Sequence, residues 1–270
     1  MKKCVYIMTI TLLLTFCAGG AFAASPANSG QLERHAWQGE INNKIPVSVW
    51  FEIRGDLIVG ELVYTNTKEK KPIRLLGTIG SDGNLSIREM LPDGLVSGFI
   101  NGKIVGDNFE GVWKAPDKLA EKGGSYEGIT GKSYPLRLSK APLPPTSFPW
   151  EHSSNTLAGE YRYSHGKDQQ YGVATLSGTE GGGMEFTITS YTAAPAYNEA
   201  YLSFSASASG EGKSRLQGNR VLYEADESCA VEILLFSDFL VTRYIERKHC
   251  SGWFGMNATI EGMFVKQNKK

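Results

Sequence analysis

Residues 45–64 read as two strands around a tight turn. Ile45, Val47, Val49, Phe51 and Ile53 fall on one face, with Ser48, Glu52 and Arg54 on the other. Gly55-Asp56 breaks the run, and Leu57 to Tyr64 resumes it. Period-two alternation around a glycine-containing break is the signature of a β-hairpin. Similar short runs follow at Ile73–Thr78, Leu85–Glu89, Leu95–Ile100, Phe109–Trp113 and Tyr134–Leu138, with turn residues such as Ser81-Asp82-Gly83-Asn84 between them. Only Asp117 to Lys122 offers helix formers for more than one turn, and Gly123-Gly124 ends it. This spacing describes an antiparallel meander or barrel.

Residues 141–157 carry Pro142, Pro144, Pro145 and Pro149. No central strand tolerates that density of proline, so the segment reads as a semi-rigid linker. Beyond it a second series of strands is expected at 159–163, 171–177, 184–190, 200–207, 213–217, 220–225, 229–236, 239–246 and 258–265. Ser237-Asp238 between two apolar runs marks a tight hairpin. The expected architecture is all-β: two small antiparallel meander barrels, 31–140 and 158–266, joined by the Pro-rich linker. Each half is long enough for its own small core. Gly39-Glu40-Ile41 and Gly159-Glu160-Tyr161 read as matching strand openings.

Residues 1–23 read as an export signal. Lys2 and Lys3 precede the apolar stretch Val5–Phe16, and Ala21-Phe22-Ala23 offers a small-x-small cleavage site before Ala24. Phe16 stands where a lipoprotein signal ending at Cys17 wants a small residue. With no further stretch of about 20 apolar residues, the chain is expected not to span a membrane and to reside in the periplasm or be secreted. Removal of the signal leaves 26 basic against 28 acidic residues, which argues against nucleic acid as the main partner. It also leaves only Cys229 and Cys250. In an oxidising compartment these two are expected to form a disulfide, with two buried thiols as the alternative.

Chemistry is sparse. Ser164-His165-Gly166-Lys167 has Ser-x-x-Lys spacing but reads as a hairpin loop. Gly131-Lys132-Ser133 and Gly212-Lys213-Ser214 lack the earlier glycine of a phosphate loop and read as turns. His35, His152, His165 and His249 are scattered, and no metal or cofactor set emerges. Asp226-Glu227 and Glu89/Asp93 read as solvated acids in or near turns. Aromatics form the one suggestive cluster. Tyr191, Tyr197 and Tyr201 are expected in a loop, where tyrosine supplies amphipathic contact area at low entropy cost. Trp253-Phe254, following Cys250-Ser251-Gly252, reads as an exposed anchor or a core plug, the plug being preferred.

The first half, through Gly60-Glu61-Leu62-Val63-Tyr64, Ser97-Gly98-Phe99 and Phe109-Glu110-Gly111-Val112-Trp113, resembles uncharacterised secreted bacterial β proteins. The second, through Cys229-Ala230-Val231-Glu232-Ile233, His249-Cys250-Ser251-Gly252 and Glu261-Gly262-Met263-Phe264, resembles compact lipocalin-like domains. Its size and compartment are similar to those of periplasmic lysozyme-inhibitor barrels. The resemblance implies a calycin-type fold and no chemistry. The function expected from all this is a non-enzymatic exported binding protein. Its loops would contact another protein, as an inhibitor or immunity-type partner of an envelope hydrolase. The alternatives are a carrier of a small hydrophobic molecule in a barrel interior and an envelope hydrolase with dispersed residues.

Overall fold

The computed structural model describes residues 31–116, 132–145, 147, 148, 150, 157–165, 170–180, 182–192, 198–207, 213–245, 250, 253, 254 and 258–268. The expected export signal 1–23, the run 117–122, His152, Lys167, Tyr197 and His249 lie outside these residues.

Every regular element among the described residues is a strand. The first eight are β1 (Glu33–Ile41), β2 (Ile45–Arg54), β3 (Leu57–Tyr64), β4 (Ile73–Ile79), β5 (Leu85–Met90), β6 (Val96–Val105), β7 (Asn108–Lys114) and β8 (Ser133–Lys140). Each pairs antiparallel with the next, and β8 returns to β1, closing a barrel. The β2–β3 hairpin falls where its pattern predicts, with Arg54 opposite Leu57 and Gly55 at φ 64°. Gly39-Glu40-Ile41 ends β1 rather than opening it, because Glu33 to Gln38 pair with Ser48 to Ile53 ahead of it. Val47, Val49, Phe51, Leu75, Ile87, Ile100, Phe109 and Leu138 fill the interior. They leave a cavity of only about 10 Å³, the space of one water at most.

The second sheet holds β9 (Gly159–His165), β10 (Gln170–Gly178), β11 (Met184–Thr192), β12 (Asn198–Ala206), β13 (Ser214–Gln217), β14 (Arg220–Glu224), β15 (Ala230–Leu235), β16 (Phe239–Tyr244) and β17 (Gly262–Lys266). All nine expected strands are present; the last begins at Gly262 rather than Ala258. The sheet runs β12-β11-β10-β9-β17-β16-β15-β14-β13 and curls into a nearly closed barrel. Cys229 and Cys250 are joined, with Cα atoms 4.4 Å apart.

The two cores are not separate. Leu57, Val59, Leu76, Met90 and Val96, on the outer face of the first barrel, belong to one apolar cluster with Ile233, Leu234, Leu240 and Val241 of the second. The run Leu57-Ile58-Val59 explains this: Ile58 points inward, so its two neighbours must be buried outside. Ion pairs frame the contact. Arg74 meets Asp238 at 2.5 Å. Arg243 bridges Asp56 of the first barrel and Glu232 of the second, and Arg220 also holds Glu232. Burial works against the Arg243 cation, but the facing Glu232 and Asp56 carboxylates more than offset it, raising its pKa.

The described part of the Pro-rich segment is a strap rather than a spacer. Phe148 stacks on Trp50, with centroids 4.5 Å apart, and lies under the Arg74 guanidinium. Trp150 Nε1 donates to buried Glu52 at 2.6 Å, and Arg34 Nε pairs with the same carboxylate at 3.0 Å. Trp150 also meets Phe236 of the second barrel edge-on.

Candidate functional site

The site lies where a turn of the first barrel docks on the β9–β10 hairpin. The Ser164 amide donates to Gly94 O at 2.9 Å. Only glycine serves at position 94. Its φ is +86°, and a Cβ would sit 2.4 Å from Arg162 O. Asp93 Oδ1 accepts from the Leu95 amide at 3.0 Å, which shapes the turn. Beside it opens a groove of about 510 Å³, lined by Asp93, Arg162, Ser164, Tyr171 and Gly172, among others. That is within the usual range of ligand-binding clefts.

Period-two geometry sets the outer face beside this groove, while Tyr163 and Gly172, of inward parity, reach its floor. Inward residues Tyr161, Tyr163, Ala174, Phe186 and Ile188 build the core. Outward residues form rows across the sheet: Ser164, Tyr171, Tyr191 and Glu199 in one, Arg162, Val173, Thr189 and Tyr201 in the next. Tyr171 and Tyr191 stack with centroids 4.4 Å apart. Tyr201 is 58% exposed. Arg162 is half exposed and pairs with Glu160, a screened contact that a ligand can displace cheaply.

The sequence places Tyr191 in a loop and Tyr201 at the junction of that loop with the expected strand 200–207, but both stand in strands. β11 and β12 extend past the expected ends, pairing Tyr191 with Glu199 and Thr189 with Tyr201. The pattern is masked because the outward positions are aromatic and hydroxyl residues rather than charged ones. Trp253 and Phe254 divide: Trp253 is 47% exposed, whereas Phe254 packs on the core and stacks with Tyr244. Neither lines the groove.

Glu89 is the residue that sequence reasoning placed wrongly. It is not a solvated acid near a turn but is 1% exposed inside the first barrel. Trp113 Nε1 donates to it at 2.7 Å, and the Tyr64 and Ser97 hydroxyls at 3.2 and 3.3 Å. Burial raises its pKa, opposed by these three hydrogen bonds. Parity with Leu85 and Ile87 was the available signal. A bulge at Ser97 turns that hydroxyl to the carboxyl. Gly98 makes room, since a Cβ there would lie 2.5 Å from Trp113 Nε1 and 2.6 Å from Glu89 Oε2. Gly98→Ala is expected to cost about 1–3 kcal/mol in urea unfolding through overpacking; a cost under about 0.5 kcal/mol would show that the cluster repacks freely.

Among the described residues no group of three or more His, Cys, Asp or Glu is placed to hold a metal ion. No described helix is long and apolar enough to cross a membrane. Fold and groove together define a two-barrel all-β protein with a cleft of mixed polar and apolar lining at the seam. No protein-family model matches the chain, and no curated protein matches it significantly. Among solved structures it is similar to a protein of unknown function of the DUF3598 family from Nostoc punctiforme. The identity is 14% over 80% of this chain and 79% of that one, with a TM-score of 0.24. At that level the likeness carries no argument.

Proposed function

We propose that this is an exported, periplasmic or secreted, binding protein that recognises another protein through the outer face of β9–β11. The export-type segment 1–23 supports the compartment, and an inhibitor or immunity-type partner of an envelope hydrolase is the occupant this reading favours. The two up-and-down barrels are read as lipocalin-like scaffolds. One observation carries the reading: Tyr171, stacked on Tyr191, lines a 510 Å³ groove that also presents Arg162. Tyrosine and arginine dominate protein-recognition hot spots because they bring large contact area and several donors at low ordering cost. The filled first barrel weighs against a carrier role in that barrel.

The chain from Ala24 onward, immobilised and challenged with envelope extract, is expected to retain a partner that binds at micromolar concentration. Tyr191→Ala should weaken that binding about tenfold or more while leaving the melting temperature unchanged. No micromolar partner, or one indifferent to both Tyr171 and Tyr191, would overturn the reading.

A further inference from the structure

Strand counting exposes a second surface. From β12 round to β13 the nine strands make eight junctions, all antiparallel. An odd number of alternating strands leaves the two ends running in the same direction. A fully antiparallel barrel needs an even number, so the closing seam is parallel and barely paired. Among the described residues it includes the Ser207–Arg215 bridge, Leu216 N donating to Ser207 O at 3.1 Å, and the Ser214 hydroxyl on Ser205 O. β13 spans four residues, too few to cover nine. Among the described residues, the stretch Glu199–Phe204 of β12 therefore pairs with β11 alone.

Natural edges are blunted by Pro, Lys, shortness or a covering element. β12 is nine residues long and carries no Pro, Lys or Arg. Its outward residues Glu199, Tyr201, Ser203 and Ser205 are all exposed, whereas Thr187, Thr189 and Tyr191 on β11 are half-buried. The outer face is thus uncovered at this edge.

We propose that β12 is a self-association edge, pairing antiparallel with β12 of a second copy about a twofold axis at Leu202. The register is self-complementary. Leu202 meets itself, Ala200 meets Phe204, and Tyr201 meets Ser203. Glu199, the only charged residue of the strand, faces Ser205, so no like charges oppose. The two Tyr201 rings lie diagonally across the axis, within aromatic reach. A symmetric edge of this kind makes a closed dimer, not a fibre. The groove beside Arg162 and Tyr171 lies at β9 and β10, separated from this edge by β11, and stays open.

Sedimentation equilibrium of the chain from Ala24 onward tests this, together with hydrogen exchange of the β12 amides. The expected result is a dimer whose β12 protection rises with protein concentration. Tyr201→Lys, which sets two ammonium groups against each other at an exposed site, should weaken dimerisation roughly tenfold with an unchanged melting temperature. Ser203→Pro should abolish it, and Tyr191→Ala should leave it intact, which separates this test from that of partner recognition. A chain that stays monomeric at its solubility limit overturns the proposal, as does a dimer indifferent to Tyr201→Lys. So does a monomer whose β12 is protected only when an envelope partner is added, since the edge then takes a foreign strand.

Discussion

Glu232→Ala is expected to lower the unfolding free energy by about 3–5 kcal/mol, the usual consequence of removing one partner from a buried ion pair. Glu232 is 4% exposed and faces two guanidinium groups. Arg220 Nε bonds one carboxylate oxygen, and Arg243 Nε bonds the other at 2.5 Å. Alanine leaves both cations in place without their anion, and Arg243 keeps only Asp56, half exposed across the seam. The cost therefore reaches the contact between barrels as well as β15. Glu232→Gln keeps acceptor capacity and should fall between. Chemical denaturation followed by circular dichroism measures both, and an alanine cost below about 1 kcal/mol would mean that the network behaves like a surface pair.

Stability should also fall as the pH drops from about 6.5 to about 4, and His165 is the cause. It is 6% exposed at the seam, edge-on to Phe99 of the first barrel. Burial pushes its pKa down to about 4; the hydrogen bond with Gln170 raises it, and Arg88 lowers it further. The unfolded chain takes up a proton near pH 6.5, whereas the folded one resists until about pH 4. Between those values the unfolded state binds more protons, so acidification favours it, by about 3 kcal/mol at the lower end. Glu89 acts in the opposite sense. Its pKa is raised in the fold, so its contribution is present at low pH and is lost as the pH rises through the raised value. The His165 share is isolated by comparing wild type with His165→Gln across this range. The variant should lose the downward slope, and parallel curves would refute the assignment.

Much of the strand pattern was legible. Alternation from Ile45 to Ile53 and the Gly55-Asp56 break placed β2 and β3 nearly to the residue. Ser237-Asp238 placed the β15–β16 hairpin, and the arithmetic of the cysteines paired Cys229 with Cys250. These are local signals: side-chain period, turn chemistry, and the two cysteines that lie beyond residues 1–23. The candidate site was legible only in part. Tyr191 was noticed for its composition, but its strand was ended at Ser190, one residue short of it, because hydroxyl and aromatic residues hide the alternation on an outer face. Glu89 was visible in principle, because its parity with Leu85 and Ile87 points it inward.

The sequence by itself determined that this chain is all-β, where its strands lie and that its proline segment is not one of them. Period and turn chemistry act within a few residues, so they survive without a fold. Only the tertiary structure decided that the proline segment straps the barrels together and that Leu57 and Val59 belong to a shared core. It alone put Asp93 beside Arg162 and Tyr171, and left β12 as an open edge. Those outcomes depend on contacts between residues far apart in the chain, and on the parity of a strand count that is settled only when the sheet tries to close.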